Sequence, residues 1–243
     1  QAVIVTGASA GIGKSLALQL ASQGVKVVLA ARRADRLEQV AEECRQRGGE
    51  ALAVPMDVSD EAQCKSLVEQ TIAKFGKLDM LINNAGGQYP APIEKISAKG
   101  WDAVVRNNLT GGFLVSRECF LQSMESHGGA IVNMLADFRA SMPGMAHSGA
   151  ARAGMENFTR TAALEWARCG IRVNVICPAA ATEAYEAFRA IAPDNAAALL
   201  KQNPMGRMGD PDEMATVALF LASEMSTYMT GSIVVADGGM LLK

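Results

Sequence analysis

Short, nearly continuous apolar runs alternate along the chain with longer stretches whose apolar positions recur every three or four residues. Seven runs read as strands: Ala2–Thr6, Val25–Ala31, Ala51–Pro55, Leu78–Asn83, Ala130–Leu135, Arg172–Ile176 and Ser232–Ala236. Runs with so few polar residues fit parallel strands that are covered on both faces. The amphipathic stretches Gly13–Gln23, Asp35–Arg47, Asp60–Phe75, Trp101–Met124 and Ala151–Arg168 read as the helices between them. This β-α-β rhythm predicts an α/β, three-layer, doubly wound parallel sheet with right-handed crossovers. No shift in composition, repeat or low-complexity tract interrupts it, so one domain over 1–243 is expected. The rhythm breaks once. Ala179 to Pro204 is Ala-rich, carries Pro193 and Pro204, and is long for a strand-to-helix connection, which suits either a lid over a site or a helical excursion covering the sheet edge.

Composition narrows the classes of function. Lys and Arg total 23 against 25 Asp and Glu, a formal net charge of −2, and no basic stripe for nucleic acid is visible. No apolar run reaches the ~18–20 residues of a membrane span; Met214 to Met225 comes nearest, but it is short and periodic like a packed helix. Five scattered cysteines (Cys44, Cys64, Cys119, Cys169, Cys177) lack any C-x-x-C and suit reduced thiols in a cytoplasmic setting. No cluster offers metal-ligand spacing, so no metal is expected. The chain opens at Gln1 inside an apolar run and without Met, so a short leader ahead of it is expected.

Candidate chemistry starts after the first strand. Thr6-Gly7-Ala8-Ser9-Ala10-Gly11-Ile12-Gly13 opens a helix. Glycines there let backbone N–H groups approach a pyrophosphate, whose charge the helix N-terminus favours. Gly7, Ser9, Ala10, Gly11, Ile12 and Gly13 are therefore expected to bind a dinucleotide. The second strand ends in Ala31-Arg32-Arg33, with no acid before Asp35. A carboxylate there would select a ribose 2′-hydroxyl, whereas Arg32 and Arg33 can grip a 2′-phosphate, so the expected cofactor is NADP(H).

The glycine turn is followed in order by Met56-Asp57-Val58, Asn83-Asn84-Ala85-Gly86, Trp101 through Phe113, Gly170 to Asn174, Cys177-Pro178 with Thr182, Gly206 to Pro211, Thr230-Gly231 and Asp237-Gly238-Gly239. With these segments the chain resembles the classical short-chain dehydrogenases/reductases over almost its whole length. The resemblance implies a seven-stranded Rossmann sheet, with Asp57 and Val58 near the adenine and Asn84, Ala85 and Gly86 lining the cofactor together with Pro178 and Thr182. It also implies a homotetramer or homodimer built on the helices near 101–124 and 150–168.

At the reaction centre the chain departs from that family. The family's Asn matches Asn108, but its Ser falls at Leu135 or Ala136. Its Tyr-x-x-x-Lys becomes Ser148 and Arg152. A family tyrosine exchanges protons because a lysine cation lowers its phenol pKa. Serine is a far weaker acid, and arginine keeps its proton while still offering charge and donors. Asn108 and Arg152, which also grips the nicotinamide ribose, are thus expected to order the site, with Ser148 and His147 hydrogen-bonding the substrate oxygen. The stretch Ala146 to Gly154, with Asn84 to Gln88, is similar to the trans-2-enoyl-CoA reductases and more loosely to the 2,4-dienoyl-CoA reductases. That group's proposed tyrosine donor corresponds here to Glu156.

Chemistry favours the same neighbour. Reducing a carbonyl builds a localised alkoxide that needs an acid, whereas reducing an enoyl thioester builds a delocalised enolate that hydrogen bonds can hold. The small-molecule substrate expected is therefore an acyl-CoA or a related lipophilic compound. The alternatives are an alcohol or carbonyl dehydrogenase of terpenoid or hydroxyacyl substrates and a catalytically degenerate NADP-binding protein. His147 is placed as a proton donor or as a structural histidine, and His127 at the surface. Asp137 and Arg139 follow the fifth strand, where site loops emerge. Met142, Met145, Met205 and Met208 suit either an acyl chain or core filling.

Overall fold

A computed structural model describes residues 1–136 and 141–242. Asp137 and Arg139 fall outside the described residues. The seven strands are β1 (Ala2–Thr6), β2 (Lys26–Ala31), β3 (Ala51–Pro55), β4 (Met80–Asn83), β5 (Gly129–Met134), β6 (Ile171–Pro178) and β7 (Ile233–Ala236). They form one parallel sheet in the order β3-β2-β1-β4-β5-β6-β7. The order reverses between β1 and β4, so their loops diverge at the carboxyl edge and leave a crevice there.

Alternate residues of each strand feed opposite layers. Val3 and Val5 of β1 pack with Leu16 and Leu20 of α1 (Gly11–Ser22), Leu37 and Val40 of α2 (Ala34–Gln46), and Ala218 and Leu221 of α10 (Pro211–Ala222). Ile4 faces the other way, in a cluster with Leu67 of α3 (Glu61–Phe75), Val115 of α5 (Gly111–Cys119) and Ala162 of α7 (Ala146–Trp166). Burial on both faces explains why the strands carry apolar runs rather than strict alternation.

Local chemistry sets several boundaries. Asp60 caps α3 by accepting from the Gln63 N–H, and Gly76 ends it at φ +86°. Pro211 opens α10 inside a capping box of Asp210 and Glu213. The single helix expected over 101–124 is instead α4 (Ala98–Val105), a π turn at Arg106–Thr110, α5, a second π turn at Phe120–Met124 and α6 (Glu125–His127). Ser97 caps α4, which moves the start ahead of Trp101. Helix α7 begins five residues before the expected Ala151, so Ser148 lies within its first turn. The segment 179–204 folds into α8 (Glu183–Ile191) and α9 (Pro193–Lys201), and buried Asn203 ties its end to the carbonyls of Arg207 and Asp237.

Candidate active site

The nucleotide side of the crevice is held by backbone geometry. Gly7 adopts φ +67°, and a Cβ there would lie 2.8 Å from Asn84 Nδ2. A Cβ on Gly13 would lie 2.5 Å from both that atom and the Gly7 carbonyl. Only glycine fits this approach of the turn to the helix. The Thr6 hydroxyl accepts from the N–H groups of Asn84 and Ala85 at 3.0 and 2.9 Å, tying the β1 exit to the β4 exit. The Asn84 amide donates to the carbonyls of Thr6 and Gly7 at 3.0 and 3.2 Å. Its side chain thus builds the wall, while Ala85 and Gly86 line the crevice. Ala10 precedes α1 in extended conformation, so the first N–H groups of Gly11, Ile12 and Gly13 carry no side-chain cap. Thr182 caps α8 and stands over Gly11, its Cγ2 being 3.4 Å from where a Cβ would be.

A hollow of about 220 Å³ continues along this edge, lined by Ser9, Arg32, Arg33, Asp57 and Val58. Arg33 donates to the Ser9 hydroxyl at 3.0 Å. Asp57 accepts from the Ser59 N–H and hydroxyl at 2.9 and 2.8 Å. Those bonds, with Arg32 nearby, hold its carboxyl below the usual carboxylate range. Glycine clearance, open N–H groups and two cations beside a hydroxyl fit a dinucleotide carrying an extra phosphate.

The reaction side joins three expected residues and one that sequence reasoning left out. Arg152 donates through Nε to Ser148 Oγ at 3.1 Å, and through Nη2 to both Gln88 Oε1 at 3.3 Å and Asn108 Oδ1 at 3.5 Å. Ser148 donates to Gln88 Oε1 at 2.5 Å. Asn108 stands on the Arg106–Thr110 π turn. It donates to the carbonyls of Gly87 and Val104 and accepts from the Gly87 N–H, fixing the loop that carries Gln88. Burial pushes the Arg152 guanidinium down to about 10, which leaves it charged at neutral pH, with the Cys177 thiol of β6 nearby. No carboxylate pairs with it among the described residues.

Two expected residues, Ser148 and His147, are buried. Ser148 is fully buried beneath Gln88, so its hydroxyl does not open onto the crevice. His147 is also fully buried, edge-on to the Tyr89 ring at 4.7 Å, with Nδ1 accepting the Ser148 N–H. Its Nε2 has no partner among the described residues. Glu156 pairs with Arg160 at 2.7 Å. Leu135 packs below the site with Met155 and Cys177, so no hydroxyl replaces the family serine at that position. His127 lies at the opposite strand end, beside Ser123. Met205 and Met214 line a separate cavity of about 730 Å³ between α10 and β7. The signal for Gln88 was available: a polar residue after Gly86-Gly87, directly past the end of β4, points into the loop cluster.

Comparisons with known proteins match this geometry. The family described as Enoyl-(Acyl carrier protein) reductase matches residues 7–241. A Bacillus subtilis (strain 168) protein named "Probable 2,4-dienoyl-CoA reductase" is 35% identical, the match covering 100% of this chain and 97% of that protein. The solved structure of a citronellol catabolism dehydrogenase from Pseudomonas aeruginosa PAO1 is 44% identical, with a TM-score of 0.88 over 99% of this chain and 94% of that one. A short chain dehydrogenase from Bacillus anthracis is 36% identical, with a TM-score of 0.89 over 100% and 97% of the two chains. The chain belongs to the short-chain dehydrogenase/reductase family and is an oxidoreductase of that family, whose members use NAD(P)(H).

Proposed function

We propose that this protein is an NADP(H)-dependent reductase of the carbon–carbon double bond in an enoyl-CoA-like thioester. The observation that carries the reading is the Gln88, Ser148, Arg152 and Asn108 cluster: a charged, hydrogen-bonding group in which, among the described residues, no phenol or lysine takes part. Such a site can hold the oxygen of an enolate, whereas its amides, hydroxyl and guanidinium are poor acids for an alkoxide. The relative named as a dienoyl-CoA reductase supports the same substrate class. When bound, the dinucleotide supplies hydride. The turn from Gly7 to Gly13 would hold its pyrophosphate, Arg32 and Arg33 its 2′-phosphate, and Thr182 and Pro178 would line its nicotinamide end. Arg152 and Asn108 order the reacting end of the crevice.

The test is NADPH oxidation with trans-2-enoyl-CoAs from four to ten carbons. Turnover with NADPH and little with NADH is expected; no turnover at any chain length overturns the reading. Replacing Arg32 and Arg33 together by Ala should weaken NADPH binding ~10–100-fold, the loss of charge-assisted hydrogen bonds, and leave NADH affinity within about threefold. Unchanged NADPH affinity by calorimetry would reject the cofactor assignment.

A second reading is favoured by the 44% identical relative named as a citronellol catabolism dehydrogenase: oxidation of a terpenoid alcohol with NADP⁺. NADP⁺ reduction by citronellol, without enoyl-CoA turnover, would select it. Tight NADPH binding with neither activity would leave a binding role. We further propose a homotetramer resting on α5 and α7, where Phe113 and Leu164 are exposed, and a cytoplasmic site of action, which the scattered cysteines without a C-x-x-C suit.

A further inference from the structure

Hydrogen-bond polarity around Ser148 leaves no freedom. A guanidinium only donates, so Gln88 must present Oε1 to Arg152, and Ser148 must accept from Arg152 Nε. The serine proton then goes to Gln88 Oε1. Ser148 and Asn108 are buried, whereas Gln88 is exposed. The Asn108 amide is fully occupied by two backbone carbonyls. Among the described residues of this cluster the donors left for a ligand are the Nε2 hydrogens of Gln88, backed by the remaining guanidinium hydrogens of Arg152; the neighbouring His147 Nε2–H, the tautomer that its accepting Nδ1 requires, is fully buried against the Tyr89 ring.

We propose that Gln88 binds the substrate oxygen, with Ser148 and Arg152 acting on the substrate mainly through its carboxamide. This deepens the proposed function and rests on that reading. Hydride delivered to the β-carbon of the enoyl thioester shifts the double-bond pair toward the carbonyl, and NADPH leaves as NADP⁺. The charge that collects on oxygen accepts from Gln88 Nε2–H, and the α-carbon then takes a proton from water. An amide N–H holds an oxyanion but surrenders no proton near neutral pH. Gln88 therefore sets specificity, favouring double bonds conjugated to a thioester over isolated ketones, whose alkoxide needs an acid.

The test compares Gln88→Glu with Gln88→Leu, assayed with trans-2-hexenoyl-CoA. Glutamate keeps an acceptor for Ser148 and Arg152 but turns the outward donor into an acceptor. Both variants should lose ~10²-fold in kcat, as for removal of one oxyanion donor, with NADPH affinity within about threefold. The Gln88→Glu rate, relative to wild type, should climb as pH falls from 8 to 5 and the carboxyl regains a donor hydrogen. Wild-type kcat in Gln88→Glu at pH 8 would overturn the proposal while leaving the proposed function standing. Should the wild type turn over citronellol instead, the same loss in both variants keeps Gln88 as the oxygen-binding residue, and only the thioester reading falls. Should it turn over neither, calorimetry with hexanoyl-CoA and NADP⁺ decides: weaker binding in Gln88→Glu supports the proposal, and equal or absent binding in the wild type and the variant overturns it.

Discussion

Two arginines are held away from solvent in opposite ways. Arg172 on β6 donates to the carbonyls of Leu221, Ala222, Ser223, Ser226 and Met229, gathering the unsatisfied end of α10 around one guanidinium. Among the described residues Arg152 on α7 donates to side-chain oxygens alone, those of Gln88, Asn108 and Ser148. Burial lowers the pKa of both groups. The contrast teaches that burial alone does not mark function. A cation saturated by main chain builds the fold, whereas one held by a few side-chain oxygens keeps donors for a ligand.

The largest effect should come from removing the saturated one. Arg172→Ala strands several carbonyls and should cost about 3–5 kcal/mol, lowering Tm by roughly 10 °C in a thermal scan. A shift of only a degree or two would break the comparison. Arg152→Met should instead leave stability within about 1 kcal/mol, since an apolar side chain of similar volume replaces a buried cation that has no carboxylate partner among the described residues. It should also cut turnover ~10²-fold or more. Denaturation and steady-state assays on one preparation separate the two outcomes, and a stable variant with full activity would dismiss Arg152 from the site. The smallest effect belongs to the rim. The Asp57 carboxyl is held below its unfolded value by Ser59 and Arg32, so its contribution is present above about pH 4 and is lost as pH falls through the lower folded value. Asp57→Asn should therefore flatten the acid side of the stability curve by under about 1 kcal/mol, read by urea titration near pH 7 and pH 4. An unchanged slope would show that the carboxyl carries no stability.

Much of the frame was legible because it rests on local, repeating causes. The apolar runs that place β1 and β3 are bounded by Gly7 and by Gly49 and Asp57, and Asp60 and Asp210 announce helix starts that the structure uses. Long-range packing hid the rest. The π turn that presents Asn108 comes from packing along the rod rather than from a breaker residue, since Asn107 and Asn108 fit an ordinary helix pattern equally well. Ser148 falls ahead of the helix expected from Ala151, whereas α7 starts at Ala146 and runs straight through it. Spacing alone could not tell which hydroxyl would be covered, because the cover, Gln88, comes from a loop sixty residues earlier.

Beneath this site Asn83 and Asn133 stand opposite each other at the ends of β4 and β5, joined at 2.9 Å, with Ser116 and Thr159 satisfying their remaining groups. Elsewhere these two strands present interchangeable aliphatic residues, and a slide by two positions would keep inward and outward faces correct. Such a slide would bury each carboxamide against hydrocarbon with nothing to bond. The asparagine pair works as a tooth in the sheet's centre: it admits one alignment of the two ribbons and so fixes where every loop above them emerges.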